Sequence, residues 1–133
     1  MIILCLNCGS SSVKYSLFDH ANKRNIAVGL IEKVGYNDAI ISQEVPGKDK
    51  YEKVAPCLDF KTAIQWVLST LTDKEIGVIK DMKEIDAVGH RVVHGGPLEK
   101  SVLITPEVIQ LLKNICDLAP LHNPANVLGM EAA

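Results

Sequence analysis

The chain has 133 residues, 47% of them hydrophobic and 5% aromatic, with a formal net charge of −2. That is enough apolar material for one domain with a real core. Lys and Arg are spread along the chain, which gives no support to a nucleic-acid partner, and the scarcity of aromatics argues against stacking platforms for bases.

The first apolar run, residues 2–8, is short and bounded by Gly9, which predicts a buried strand. It is far too short to span a bilayer and no basic region precedes it, so no targeting or membrane segment is recognised. Residues 13–19 alternate weakly and predict a second strand. The link Gly9-Ser10-Ser11-Ser12 is short, so the two strands form an antiparallel hairpin. Residues 26–34 predict a third strand. Residues 39–45 and 51–54 flank Pro46-Gly47-Lys48-Asp49-Lys50, a turn signal, and predict a peripheral hairpin.

Asp59 is a plausible N-cap for a helix that places Phe60, Ala63, Ile64, Val67, Leu68 and Leu71 on one face. The charged stretch 74–84 allows a short helix. Residues 85–93 predict a strand ending at His94-Gly95-Gly96-Pro97. Thr105-Pro106-Glu107 is a helix start: an N-cap, a proline at the first helical position and an acid near the positive end. That helix is expected to run to about Leu118. Leu121-His122-Asn123-Pro124 repeats the grammar, with Asn123 as N-cap. Strands and helices in this order predict a mixed sheet with helices packed on it.

Cys5 and Cys8 have C-x-x-C spacing. On a strand, side chains three apart point to opposite faces, and no second such pair follows. All four cysteines are therefore read as reduced thiols of a cytoplasmic protein, with zinc or disulfide roles as the lesser option.

Three stretches carry chemistry. In Asn7-Cys8-Gly9-Ser10-Ser11-Ser12-Val13-Lys14, Gly9 permits a tight turn and close approach to a ligand. The hydroxyls of Ser10, Ser11 and Ser12 and nearby N–H groups donate to anionic oxygens, and Lys14 adds charge. Asn7 is placed to orient a phosphate or a metal-bound water. This is a phosphate cradle, although neither of the common glycine-rich loop patterns; alone it reads equally as a polar hairpin tip. In Gly89-His90-Arg91-Val92-Val93-His94-Gly95-Gly96, strand alternation puts Arg91 and Val93 on one face. An arginine among apolar residues needs a partner, and its fork suits a carboxylate or phosphate. Arg91 with Val93 fits a small ligand with an anionic head and a short alkyl tail; a salt bridge within the fold is the commoner outcome for such an arginine. In Ala119-Pro120-Leu121-His122-Asn123-Pro124, His122 stands before a helix N-terminus, where anions are favoured; alone it is a surface or capping histidine.

Together, residues 7–19, the run Gly89–Gly96 followed by Ser101-Val102-Leu103-Ile104-Thr105, and residues 118–126 resemble the acetate kinases of the acetate and sugar kinase/Hsp70/actin superfamily. The resemblance covers essentially the whole chain. It implies a ribonuclease H-like (actin-like ATPase) α/β domain. It also implies reversible transfer of the ATP γ-phosphoryl group to acetate, with Mg²⁺, giving acetyl phosphate and ADP. By that resemblance Ser10, Ser12 and Lys14 face phosphate, Asn7 faces the metal, Arg91 grips the carboxylate, Val93 and Leu121 line a methyl pocket, and His122 lies near the transferred phosphoryl. Cys8 stands where the family often has a small residue. Family members are two-domain proteins and much longer, homodimeric when whole. Residues 1–133 are therefore expected to be an N-terminal part that needs the remainder of the polypeptide to catalyse. Kinases of propionate or butyrate, and a non-catalytic binding module on the same fold, are the alternatives.

Overall fold

The computed structural model describes residues 1–133. Six strands are formed: β1 Ile2–Cys8, β2 Ser12–Asp19, β3 Arg24–Glu32, β4 Tyr36–Glu44, β5 Tyr51–Cys57 and β6 Ala87–His90. Three helices accompany them: α1 Phe60–Leu71, α2 Pro106–Asn114 and α3 Asn123–Ala132. The sheet order is β5-β4-β3-β2-β1-β6. β1 to β5 pair antiparallel, and β6 runs parallel to β1. This is the mixed α/β sheet that the sequence predicts.

Period-two alternation makes the sheet two-faced. Leu4, Leu6, Cys8, Val13, Tyr15, Leu17, Ala27 and Ile31 are buried toward the helices. The opposite face carries Cys5, Lys14 and Val28, which are exposed, and Asn7, Ser16 and Leu30, which are half-buried. α1 covers the core side with Ala63, Ile64, Val67 and Leu71, and Asp59 caps it by accepting from the Thr62 N–H at 2.7 Å. One polar pair is admitted to the core. The Tyr15 hydroxyl donates to Gln43 Oε1 at 2.9 Å, and Gln43 Nε2 donates to the Ile76 carbonyl. The Tyr15 ring lies over Gly29, its partner across the strands, where any Cβ would collide with it.

Several boundaries differ from the sequence reading. β3 spans Arg24–Glu32 instead of 26–34, and β5 continues to Cys57. Pro56 is tolerated there because β5 is an edge strand, where a missing N–H breaks no ladder. α2 stops at Asn114, and a separate 3₁₀ turn, Cys116–Leu118, follows it. The larger difference is β6, which ends at His90 instead of Val93. α2 and α3 pack through a second small core of Leu112, Val127 and Met130. Val92 joins that core, so the chain turns away from the sheet to bury it.

Candidate active site

The β1–β2 register sets Asn7 opposite Lys14. The β1–β6 register ends with Leu6 opposite His90, and the Arg91 N–H then donates to the Leu6 carbonyl at 3.0 Å. Arg91 thus stands beside Asn7, one step past the last strand pair. Asn7, Lys14 and Arg91 come together on the open face of the sheet. They line one cleft of about 730 Å³ with Cys5, Ser16 and Gly89. The molecule's two ion pairs are Lys33–Asp38 and Lys113–Glu131, so neither Arg91 nor Lys14 is held by an internal carboxylate. The salt-bridged alternative for Arg91 is not what the chain adopts.

The hairpin tip above these residues is rich in unused donors. Gly9 N–H donates to the Ser12 carbonyl at 2.8 Å, and Val34 N–H to the Ser11 carbonyl at 2.9 Å. The N–H groups of Ser10 and Ser11 donate to no group of the chain, and both residues are exposed. Ser12 is half-buried. Gly9 does not use the left-handed region. Its lack of a side chain matters for another reason: a Cβ there would lie 2.9 Å from Ser12 Oγ and push that hydroxyl aside.

Val93 is exposed and lines a second cleft of about 650 Å³, which Arg91 also borders. The two residues are therefore neighbours, but not through strand alternation, because the strand has already ended. Leu121 is 76% exposed and His122 is exposed; neither lines the two clefts that Arg91 borders. They lie at the start of α3, next in sequence to Asn123, which touches His94.

Asn123 is a correction to the sequence reading. The cap position belongs to His122, whose side chain makes no capping bond, and Asn123 is the first helical residue. The Asn123 side chain is fully buried and turned to the 91–94 segment. Its Oδ1 accepts from the His94 N–H at 3.0 Å and its Nδ2 donates to the His94 carbonyl at 2.6 Å. One turn on, Asn126 Oδ1 accepts from the Val93 N–H at 3.0 Å and Nδ2 donates to the Cys8 carbonyl at 2.7 Å. Asn126 was not singled out from the sequence. The signal was there: positions 123, 126 and 129 repeat at helical spacing, and a polar pair on the buried face of a helix needs partners.

Behind the cleft, His90 and Cys8 face α3. A side chain on Gly129 would strike Cys8 Sγ and His90 Nε2, so the helix backbone rests directly on both. Burial pushes the Cys8 thiol up to about 11. It lowers the His90 imidazole below its ordinary value, a hydrogen bond to the Arg91 carbonyl opposing. Cys5 is exposed on the cleft side and Cys8 buried on the other, so the C-x-x-C pair is split across the strand. No three carboxylate, imidazole or thiol groups converge anywhere in the chain. Asn7 offers a side-chain oxygen at the end of β1, in the cleft with Lys14 and Arg91.

No helix is long and apolar enough to cross a membrane. The sequence profile of the acetokinase family matches residues 2–133. An acetate kinase of Caldanaerobacter subterraneus is 56% identical over 133 residues, covering 99% of this chain and 33% of that protein. One from Geobacter metallireducens is 54% identical over 134 residues, covering 100% and 32%. The crystal structure of Porphyromonas gingivalis acetate kinase superposes with a TM-score of 0.95 at 44% identity, over 98% of this chain and 33% of that one. A propionate kinase from Francisella tularensis gives 0.85 at 33% identity, over the same shares. The chain spans about a third of the length of the relatives it matches, and it belongs to the acetokinase family.

Proposed function

We propose that this chain supplies the acid- and phosphate-facing half of an enzyme that reversibly moves the γ-phosphoryl group of ATP to acetate, giving acetyl phosphate and ADP. The observation that carries the reading is the row Asn7, Lys14 and Arg91 on one open sheet face, two of them cations without an internal partner. Acetate is ionised at neutral pH, so its oxygen attacks the γ-phosphorus without a general base, and the bond to the ADP oxygen breaks. Such a transfer needs positioning and positive charge more than covalent help. Arg91 holds the attacking carboxylate in a fork. Lys14 and the free N–H groups of Ser10 and Ser11, with the Ser10 and Ser12 hydroxyls, offset charge on the donor phosphates. A divalent cation such as Mg²⁺ would come bound to those phosphates and spread their charge, with Asn7 as the donor from this chain. Val93, in the second cleft that Arg91 borders, meets the methyl group; Leu121 and His122, which line neither cleft, are assigned to the methyl pocket and the phosphoryl by the family likeness alone.

The same reading makes the whole protein a cytoplasmic homodimer that acts on small molecules, with neither membrane nor nucleic acid as partner. The likeness to a propionate kinase makes a slightly longer acid the second candidate. The test is Arg91→Ala in the full-length polypeptide carrying these residues. Loss of a charge-assisted grip inside a closed site costs about 2–5 kcal/mol. It is expected to appear as a raised acetate KM and lost turnover, with KM for ATP little changed. Unchanged acetate kinetics would remove Arg91, and with it this reading, from the site.

A further inference from the structure

The parallel pairing of β6 with β1 ends at the Arg91 N–H: the next rung, Cys8 N–H to the Arg91 carbonyl, is not formed, that carbonyl meeting His90 Nδ1 at 2.7 Å, and the rung after it is occupied by a side chain. In a parallel ladder the bonds are evenly spaced, so an Arg91 N–H to Leu6 carbonyl bond is followed two residues on by Val93 N–H to Cys8 carbonyl. The first bond is present at 3.0 Å. In place of the second, the Asn126 carboxamide stands between the same two groups. It accepts the Val93 N–H at 3.0 Å and donates to the Cys8 carbonyl at 2.7 Å. Asn123 then takes both backbone groups of His94. Asn126 is 1% exposed and Asn123 fully buried, so neither amide has water to fall back on. The glycine at 129 lets α3 sit close enough for this, since a side chain there would strike Cys8 and His90.

We propose that Asn126, assisted by Asn123, is a positioning residue that wedges the 91–94 segment away from the end of β1 by the width of one amide. The wedge fixes the spacing between Asn7–Gly9, on the phosphate side, and Arg91–Val93, on the acid side. This rests on the reading of Arg91 and Val93 as the acid site. A helix buried behind the cleft thereby sets the fit for the acid without touching it. A direct Val93-to-Cys8 bond would draw Val93 toward the strand and narrow the space beside Arg91.

Two measurements on the full-length polypeptide test this. Amide hydrogen exchange of the unmodified protein is expected to show the Val93 and His94 N–H groups as well protected as those inside α3. Exchange at the rate of the exposed 99–104 stretch would overturn the wedge, and this holds whether or not any variant folds. In folded Asn126→Ala, acetate KM is expected to rise about tenfold, the scale of one lost buried hydrogen-bonding partner. The KM for ATP should stay within about twofold and the preference for propionate over acetate should shift. An unchanged acetate KM, or equal loss for both substrates with a lowered Tm, would mark Asn126 as merely structural and overturn the proposal. Should the unmodified protein fail to turn over acetate, the functional reading falls, while the exchange result still decides the wedge.

Discussion

Arg91 and His90 are adjacent in sequence and opposite in circumstance. Arg91 follows the strand onto the open face and lines the cleft. His90 points under α3, where burial disfavours the charged imidazole. Its value in the folded chain lies below the ordinary one, so the unfolded chain binds a proton that the folded chain refuses. Stability from this group is therefore full above about pH 6.5 and is lost as pH falls through and below it. Urea midpoints at pH 7.5 and 5.5 are expected to drop more for the unmodified chain than for His90→Gln; equal drops would contradict a neutral buried His90. On the proposed function, Val93 meets the acid's alkyl end beside Arg91. Val93→Ala removes two methyl groups, each step in such a pocket being worth about 1–3 kcal/mol. The ratio of kcat/KM for propionate over acetate in the full-length polypeptide should rise, and no rise would take Val93 out of the pocket.

At the scale of elements, the strands and helices were legible where one physical signal dominated. A short apolar run bounded by Gly9 marked β1, weak alternation marked β2, and Asp59 and Thr105 announced α1 and α2 as caps whose side chains do bond the helix N–H groups. Two elements were misread for local reasons. Residues 91–93 look like strand because Val92 and Val93 favour it, yet Val92 is claimed by the α2–α3 core and the Val93 N–H by Asn126. Asn123 looks like a cap because Asn-Pro is helix-start grammar, yet its amide has a better use against His94. Both errors come from long-range partners, at sequence separations of 33 and 29, that no local pattern displays. The face assignment of β1 is testable by thiol chemistry. Exposed Cys5 should label quickly with a maleimide in the native chain, whereas Cys8, buried and with its thiol pushed up to about 11, should label only on unfolding. Native labelling of Cys8 as fast as Cys5 would refute the two-faced strand.

For the molecule as a whole, one face of the sheet is packed and the other presents the row Asn7, Lys14 and Arg91 in an open cleft. Charges in an open cleft act through water, which weakens them; closing the cleft would strengthen each contact several-fold. The relatives are about three times as long as this chain, and no three carboxylate, imidazole or thiol groups gather at the cleft. On the proposed function, residues 1–133 supply half of an active site. The sequence made the family and the loop residues legible through three motifs in order, but not the Asn123 and Asn126 contacts behind them, whose partners are joined only by folding. The most direct measurement is a coupled assay for acetyl phosphate. It is run on residues 1–133 alone and on a polypeptide carrying them with the remaining two thirds of the relatives' length. We predict acetate-dependent turnover in the long form and none in the short one. Robust Mg²⁺-dependent acetyl phosphate production by residues 1–133 alone would contradict the half-site.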